Sequence, residues 1–329
     1  MMRRVGLDGL RLGWARARNI GNLARKIAGK VVVVLCYHRV ARVPSDINAL
    51  AVTPENFRDQ LNYLKNNFQL VRFEDDWTDL ERTAVAVTFD DGYADNLQVA
   101  LPIIEEVGVP ATFFISSAAV GNDREFWWDE LERLTLDVSG YPNEFRLQDT
   151  PQQRIWPTAT FVDRLALFRQ LHPLLLQAGA EQRVRWLEQI RVWAGERKST
   201  GVDNRLLTAA ELRALAASPW VSIGAHTISH PRLAGLSEAE QRREIFGCKE
   251  QLEALLGREM VLFSYPYGKK SDYSPTSVRL CREAGFHKAA AAFPGLVRRG
   301  TDPLQIPRHF VYNGEARTLA NYFQGCWIR

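Results

Sequence analysis

Residues 84–93 read Ala84-Val-Ala-Val-Thr-Phe-Asp-Asp-Gly-Tyr93, an apolar run that ends at two carboxylates and a glycine. The apolar run predicts a buried strand. Side chains on a strand alternate between its two faces, so Asp90 and Asp91 cannot both continue the pleat into a core. We therefore place them at the carboxyl end of the strand, where parallel α/β folds hold their chemistry. The alternative is an Asp-Asp-Gly turn in which Gly92 supplies a positive φ.

Strand and helix patterns alternate on both sides of this stretch, which predicts a parallel sheet with helical crossovers. The other predicted strands cover residues 30–37, 70–73, 111–115, 220–225, 261–265, 287–293 and 304–309. Helix starts are indicated by Pro54 after Thr53, and by the capping-box pairs Thr208/Glu211 and Ser237/Glu240. Several strands end in polar or special residues, as expected for a barrel whose site lies at the carboxyl ends of its strands. These residues are His38, Asp90, His226, Tyr267 and His309.

The alternation stops between residues 122 and 205, a predominantly helical stretch with a proline-rich kink near residues 151–157. We predict an insertion whose tryptophans form the core of a small helical subdomain, with a lid or a substrate-facing wall as the alternative. The chain then divides into a basic N-terminal segment (1–30), a main domain (31–121 and 206–312), a helical, tryptophan-rich insertion (122–205) and a C-terminal tail (313–329).

The composition is that of a globular protein, with 46% hydrophobic and 24% charged residues. A net charge of +4 is too small to argue for nucleic acid as a partner. The four scattered cysteines indicate a reducing compartment, and no secretory h-region or spanning apolar run is found. We expect a cytoplasmic protein. The basic residues 1–30 suggest peripheral contact with an anionic membrane at its inner face, against a frayed, solvated helix as the alternative.

The second motif is His226-Thr-Ile-Ser-His230, directly after a predicted strand. Two imidazoles four residues apart are good ligands for zinc and similar divalent ions. A catalytic metal needs a third protein ligand, which one carboxylate of the Asp90–Asp91 pair would supply. The other carboxylate is then free to act as a general base. The alternative for each histidine is a structural role in the core.

The sequence resembles the polysaccharide deacetylases, the NodB-homology group of carbohydrate esterase family 4. The resemblance rests on residues 88–93 and on residues 226–230, which are similar to the first two motifs of that family. Residues 263–268 and 285–290 resemble the third and fourth motifs. Residues 36–40, Cys-Tyr-His-Arg-Val, resemble the stretch that precedes the domain in bacterial exopolysaccharide deacetylases. The resemblance covers about residues 31 to 312, except the insertion.

The resemblance implies a distorted (β/α)7 barrel, which is TIM-barrel-like, and a hydrolase that removes an N-acetyl or O-acetyl group from a sugar. It implies Asp90 as the catalytic base. It implies Asp91, His226 and His230 as ligands of a divalent metal, most commonly zinc. The backbone N–H of Tyr93 is our candidate for stabilising the oxyanion, and Tyr267 is a further candidate for contact with the substrate or the oxyanion.

The sequence departs from the family pattern at two places. The third motif of the family carries an arginine that orients the catalytic aspartate, and this chain has Ser264 there. Arg308 on the last predicted strand is our candidate replacement. The general acid of the family is a histidine in a Leu-x-His pattern, which this chain lacks. His309 is our first candidate for the acid and His38 the second, and a structural histidine is the alternative for each. His172 and His287 have weaker claims, and His172 is interpreted as a surface or packing residue.

These observations predict a metal-dependent deacetylase acting on an acetylated sugar polymer, an oligosaccharide or a lipid-linked glycan. One alternative is a non-catalytic glycan-binding relative, which the missing arginine at position 264 favours. Another is a hydrolase of a different amide, such as a cyclic ureide.

Overall fold

The computed structural model describes residues 31–121, 125–136, 140–149, 152–195 and 204–327. Residues 1–30, for which contact with a membrane surface was predicted, lie outside these ranges. Within the described ranges, no helix combines the length and the apolar character that crossing a bilayer requires.

The centre of the molecule is a parallel sheet in which the strands follow the order β11-β10-β9-β6-β5-β1-β12, with β4 beside β5. In chain order the strands of the protein are β1 (Val32–Tyr37), β2 (Arg39–Val40), β3 (Ala51–Val52), β4 (Gln69–Leu70), β5 (Ala84–Phe89), β6 (Ala111–Ile115), β7 (Glu144–Asp149), β8 (Gln152–Pro157), β9 (Val221–Ala225), β10 (Leu262–Ser264), β11 (Lys288–Ala290) and β12 (His309–Phe310). The segment from Ile306 to β12 contacts both β11 and β1, which lie at opposite ends of the order of the other strands. Ile306 bridges to Ala290 of β11, and His309 pairs with Leu35 of β1. This segment closes the sheet into the distorted barrel that the sequence predicted.

Helices cover the outside of the barrel and build the insertion. They are α1 (Pro54–Asn67), α2 (Leu101–Val107), α3 (Trp127–Leu136), α4 (Phe161–Gln177), α5 (Ala180–Ala194), α6 (Ala209–Ala216), α7 (Glu238–Leu256), α8 (Pro275–Glu283) and α9 (Ala316–Trp327). The predicted capping boxes at Thr208 and Ser237 are confirmed, because each side chain accepts the N3 backbone N–H while its glutamate caps in return. The segment predicted as a tail contains α9, in which Phe323 packs 5.2 Å from Phe68.

Strand β5 is buried along its whole length between β1 and β6. Its two faces carry side chains of different size. Val85, Val87 and Phe89 belong to the large core beneath the helices, whereas Ala84 and Ala86 belong to a smaller cluster with Phe114 and Ile306. Both faces are covered, which explains why the strand is an uninterrupted apolar run rather than an alternating one.

The insertion has a hydrophobic cluster of its own, built from α3, α4, α5 and the antiparallel hairpin β7–β8. The hairpin corrects the prediction of a proline-rich kink at residues 151–157, since residues 152–157 form β8. Phe145 of β7 lies opposite Trp156 of β8, with their ring centroids 5.8 Å apart. Apolar side chains alternate with exposed ones along β7, which is the period of a strand.

Candidate active site

The carboxylates of Asp90 and Asp91 line one cavity beyond the carboxyl end of β5, and both are buried. A strand would send two successive side chains to opposite faces. Here Asp91 adopts a φ of +79° and Gly92 a φ of +94°, which turns the chain so that the second carboxylate joins the first. A left-handed conformation is costly for an aspartate and is typical of functional sites. The Asp-Asp-Gly stretch is therefore a turn that brings two charges together.

The imidazoles of His226 and His230 reach the same cavity from the loop after β9. Two further left-handed residues shape this loop, with φ of +63° at Thr227 and +55° at His230. The Thr227 hydroxyl accepts the backbone N–H of His230 at 3.1 Å and so fixes the turn. As a result, the Nε2 atoms of His226 and His230 lie 3.5 Å and 3.4 Å from Oδ1 of Asp91.

These three residues fit a divalent cation. Ligand atoms about 2.1 Å from a tetrahedral ion lie roughly 3.4 Å from one another, and the measured separations match that value. Oδ1 of Asp91 is buried and has no hydrogen-bond partner among the described residues. Nδ1–H of His226 donates to the carbonyl oxygen of Ser264 at 2.7 Å, so the lone pair of Nε2 faces the cavity. Burial lowers the pKa of His230 to about 3, which keeps its imidazole neutral and able to ligate.

Asp90 is held by a guanidinium. Arg308 donates from its two terminal nitrogens to the two oxygens of Asp90, at 2.7 Å and 2.6 Å. Burial would raise the pKa of Asp90, but the charge and hydrogen bonds of Arg308, with His226 nearby, outweigh it and hold that pKa well below its usual range. Asp90 is therefore a carboxylate with a fixed orientation.

Arg308 contacts both Asp90 and Ser264, the residue at the position where the family pattern has an arginine. The Arg308 side chain is only 1% exposed and donates to the carbonyl oxygen of Ala291 at 2.7 Å and to the Ser264 hydroxyl at 2.9 Å. The Ser264 hydroxyl is also 3.3 Å from Oδ2 of Asp90. The short Ser264 side chain lies beside a guanidinium that comes from a residue 218 positions after Asp90 in the chain.

The two histidines considered as general acids lie in different surroundings. His38 lines the cavity, stacks on Phe310 with ring centroids 4.7 Å apart, and has a ring nitrogen within 4.8 Å of a carboxylate oxygen of Asp90. Burial lowers the pKa of His38. The first candidate, His309, does not line the cavity, which corrects its predicted place in the site. Its ring nitrogens lie 2.7 Å from the Tyr322 hydroxyl and 2.8 Å from the Gly295 carbonyl oxygen.

The reason for this placement is the alternation of side chains along an extended chain. Arg308 and Phe310 face the site, so His309 between them faces the other way, toward α9. The strand-end position correctly indicated that this segment borders the site. Which of its residues faces the cavity depended on the register of the strand.

The two tyrosines also differ. Tyr267 lines the cavity with a φ of +59°, its hydroxyl accepts the Nε1–H of Trp127 at 3.3 Å, and its ring lies 4.7 Å from that of His230. The side chain of Tyr93 is buried behind the site and donates its hydroxyl hydrogen to Asp129 at 2.6 Å. Only the backbone of Tyr93, directly after the two carboxylates, remains a candidate for the oxyanion.

A family model described as polysaccharide deacetylase matches residues 78–137 and 189–289. The chain belongs to the polysaccharide deacetylase family. The matched segments contain Asp90, Asp91, His226 and His230, whereas His38 and Arg308 lie outside them.

Three similar proteins illustrate how this chain relates to the family, and two of them are solved structures that bear on its fold. One relative is YxkH from Bacillus subtilis (strain 168), whose name describes it as a polysaccharide deacetylase. It is 19% identical to this chain over 273 residues, and the alignment covers 81% of this chain and 66% of the relative. The chain thus spans about two thirds of that relative. The structure of IcaB from Ammonifex degensii aligns with a TM-score of 0.59 at 20% identity, covering 90% of this chain and 98% of the other. A polysaccharide deacetylase from Bacillus cereus aligns with a TM-score of 0.56 at 19% identity, covering 89% and 68%. These alignments agree with the distorted barrel.

One wall of the cavity comes from the insertion. Trp128 of α3 and both His172 and Leu176 of α4 line it, and the last two lie within residues 138–188, which the family model does not match. His172, predicted to be a surface or packing residue, does pack against aromatic rings and also lines the cavity. Its spacing of four from Leu176 is the pattern in the sequence that places both side chains on one helix face. Asn48 also lines the cavity, beside Ala49 with its φ of +53°, and no pattern in the sequence indicated this position.

Proposed function

We propose that this protein is a metal-dependent hydrolase that removes acetyl groups, most directly N-acetyl groups, from a hexosamine in a sugar polymer, an oligosaccharide or a lipid-linked glycan. One observation carries the proposal: two adjacent buried carboxylates have different partners, a guanidinium for Asp90 and two imidazoles for Asp91. A site with this division can hold a cation and keep a separate proton acceptor next to it.

The proposed metal ligands are Asp91, His226 and His230, and zinc is the proposed ion because imidazole nitrogens with one carboxylate suit it. When bound, the cation supplies a Lewis acid that polarises a carbonyl group and increases the acidity of water. His226 would hold its ligating nitrogen in place through the hydrogen bond to the Ser264 carbonyl oxygen.

Asp90 is proposed to take a proton from the water that attacks the acetyl carbonyl carbon. The low pKa of Asp90 makes it a weak base, so its contribution comes from position and from being ionised at every working pH. Arg308 is proposed as the residue that provides both, because its two hydrogen bonds fix the plane of the carboxylate.

His38 is proposed as the general acid: its neutral imidazole takes up the proton that Asp90 has removed from the attacking water and passes it to the departing amine nitrogen as the carbon–nitrogen bond breaks, which yields acetate and a free amine. Its support is its location in the cavity close to Asp90. The backbone N–H of Tyr93 is proposed to stabilise the negative oxygen that forms on the acetyl carbon. Tyr267, on the same wall as His230, is proposed to contact the substrate.

The guanidinium of Arg308 weakens the case for a non-catalytic glycan-binding protein. That alternative was favoured because position 264 lacks the arginine of the family, and Arg308 now supplies the same group to Asp90. The presence of Asp91, His226 and His230, the proposed metal ligands, likewise argues against a hydrolase of a cyclic ureide.

The test compares Asp90→Asn with Asp91→Asn on zinc-loaded protein and chitooligosaccharides. We expect Asp90→Asn to abolish acetate release while metal analysis still finds one ion per chain. We expect Asp91→Asn to lose both the bound ion and acetate release. A chelator should stop the wild-type reaction, and added zinc should restore it. Full activity of Asp90→Asn would refute the assigned roles, and wild-type protein that binds the oligosaccharide without releasing acetate would favour the non-catalytic alternative.

A further inference from the structure

The cavity contains one imidazole that neither the metal site nor the proposed acid and base account for. His172 lines it from α4, one helical turn before Leu176, so the two side chains share a face of that helix. Both belong to the part of the insertion that the family model does not match. The wall that they form is therefore an addition to the barrel that carries the proposed chemistry.

Aromatic neighbours hold the His172 ring without using its nitrogens. Its centroid lies 5.0 Å from that of Trp127 and 5.7 Å from that of Phe168. Its imidazole has no hydrogen-bond partner among the described residues, and the side chain is only partly buried. Trp127 is itself tied to the site through its hydrogen bond to Tyr267. The position of the ring is thus fixed by packing while its polar edge is left for a ligand.

The chemistry of the ring selects the kind of ligand. Burial lowers the pKa of His172, so the imidazole is neutral near pH 7. A neutral imidazole offers one N–H donor and one acceptor nitrogen, which matches a hydroxyl group and gives no charge to attract an anion. Beside it, Leu176 and Trp128 offer apolar surface on the same wall.

The size of the cavity limits how much of a glycan it can enclose. Its volume is about 260 Å³, just below the range of roughly 300–1,000 Å³ usual for pockets that enclose drug-sized ligands. One sugar ring with its acetyl group is the unit that fits beside the metal-binding residues. The His172 imidazole then lies against that ring rather than against a distant part of the polymer.

We propose that His172 is a specificity-determining residue, which binds a hydroxyl of the same sugar ring that carries the acetyl group, while Leu176 and Trp128 pack against the apolar surface of that ring. The inference rests on the proposed function, because it takes the substrate to be an acetylated sugar. It adds that the insertion recognises the sugar and the barrel performs the hydrolysis.

The experiment compares two substrates on zinc-loaded protein. Both substrates carry an acetyl group. Chitooligosaccharides also carry sugar hydroxyls, whereas 4-nitrophenyl acetate has no hydroxyl group. His172→Phe keeps an aromatic ring against Trp127 but loses both polar nitrogens, and His172→Gln keeps polar atoms. We expect His172→Phe to raise KM for the oligosaccharide about tenfold, the size of one hydrogen bond. We expect its kcat/KM for 4-nitrophenyl acetate to stay within about twofold of wild type, and His172→Gln to recover most of the loss.

The matched control is His287→Ala, which removes an exposed histidine that does not line the cavity and should leave KM and kcat unchanged for both substrates. Equal losses on both substrates in His172→Phe, or no loss on either, would overturn the inference. Calorimetric binding of the oligosaccharide provides a readout that does not need turnover, and the same tenfold weakening is expected there. Wild-type protein that releases acetate from the oligosaccharide, together with a His172→Phe variant that binds and cleaves it as well as wild type, refutes this inference alone. Protein that binds the sugar through His172 but cleaves nothing refutes the proposed function alone.

Discussion

The barrel and the insertion contribute different side chains to the same cavity. The barrel side supplies Asp90, Asp91 and two histidines, whose polar atoms face one another within hydrogen-bonding or ligand distance. The insertion supplies an indole, a leucine and an imidazole without a hydrogen-bond partner among the described residues. Each region also has its own hydrophobic cluster.

This contrast arises because reactive groups and ligand-binding groups need different surroundings. Buried charges must be paired, so their positions are over-determined by contacts from several strands. Groups that contact a ligand must leave polar atoms free, and a separately packed element can provide them without disturbing the charges. The family model covers the segments that contain the proposed metal ligands and also Trp128, and it does not match residues 138–188, which contain His172 and Leu176.

The largest expected effect is on the free energy of unfolding of the barrel when the buried ion pair between Arg308 and Asp90 is broken. Arg308→Met leaves the buried Asp90 carboxylate without its partner and should lower the free energy of unfolding by about 3–5 kcal/mol. Urea unfolding of metal-free protein measures it. The double variant Arg308→Met/Asp90→Asn should recover much of the loss, because no uncompensated charge remains. Arg42→Met, which breaks the exposed ion pair with Glu55, should cost less than about 1 kcal/mol. A similar decrease in the free energy of unfolding in Arg308→Met and Arg42→Met would contradict the explanation that burial makes the loss of the Arg308 ion pair costly.

The second prediction tests whether the two clusters are independent. Ile190 in the insertion and Leu215 in the barrel are both fully buried, and changing either to alanine should cost about 2–5 kcal/mol. Ile190→Ala should nevertheless keep near wild-type hydrolysis of 4-nitrophenyl acetate at 25 °C, because the barrel holds the proposed catalytic groups. Enzyme assays and tryptophan fluorescence during unfolding check this. A rate that falls as steeply in Ile190→Ala as in Leu215→Ala would show that the regions are not separable.

The third prediction concerns Asp129 of α3, which joins the regions by accepting the hydroxyl hydrogen of Tyr93. Burial raises the pKa of Asp129 from 3.8 to about 8. The folded protein therefore keeps a proton that the unfolded chain loses, so this group stabilises the fold less and less as pH rises from about 4 to about 8. Asp129→Asn has no proton to lose and should reduce the drop in unfolding free energy between pH 5 and pH 8 by about 1–4 kcal/mol. An identical pH dependence in wild type and variant, measured by urea unfolding, would refute the assignment.

The smallest expected effect compares two helix caps. Thr160 caps α4 in the insertion and Thr208 caps α6 on the barrel, each within a complete capping box. Replacing either by alanine should cost about 0.5–2 kcal/mol. If the insertion unfolds on its own, Thr160→Ala lowers only the stability of the insertion, and hydrogen exchange resolves which helices lose protection. Loss of protection throughout the barrel in Thr160→Ala would indicate a single cooperative unit.

Local patterns in the sequence predicted the parts of the molecule that local physics controls. The apolar run before Asp90 identified β5, and the capping pairs at Thr208 and Ser237 located two helix starts. The spacing of His226 and His230 after a strand predicted that both imidazoles would share a site, and they lie in one cavity with Asp91. The hairpin of the insertion was missed because prolines at its ends hid the alternation of β7 and β8.

By itself, the sequence determined the family, the barrel and the identity of the paired carboxylates and histidines, because these depend on side-chain order within a few residues. Only the tertiary structure decided which distant side chain holds Asp90, which histidine faces the cavity, and which helix of the insertion forms its wall. Those outcomes depend on strand register and on closure of the sheet. A shift of one residue at Arg308 and His309 would turn the imidazole toward the site and the guanidinium away from it. No local sequence pattern predicts which of the two faces the site.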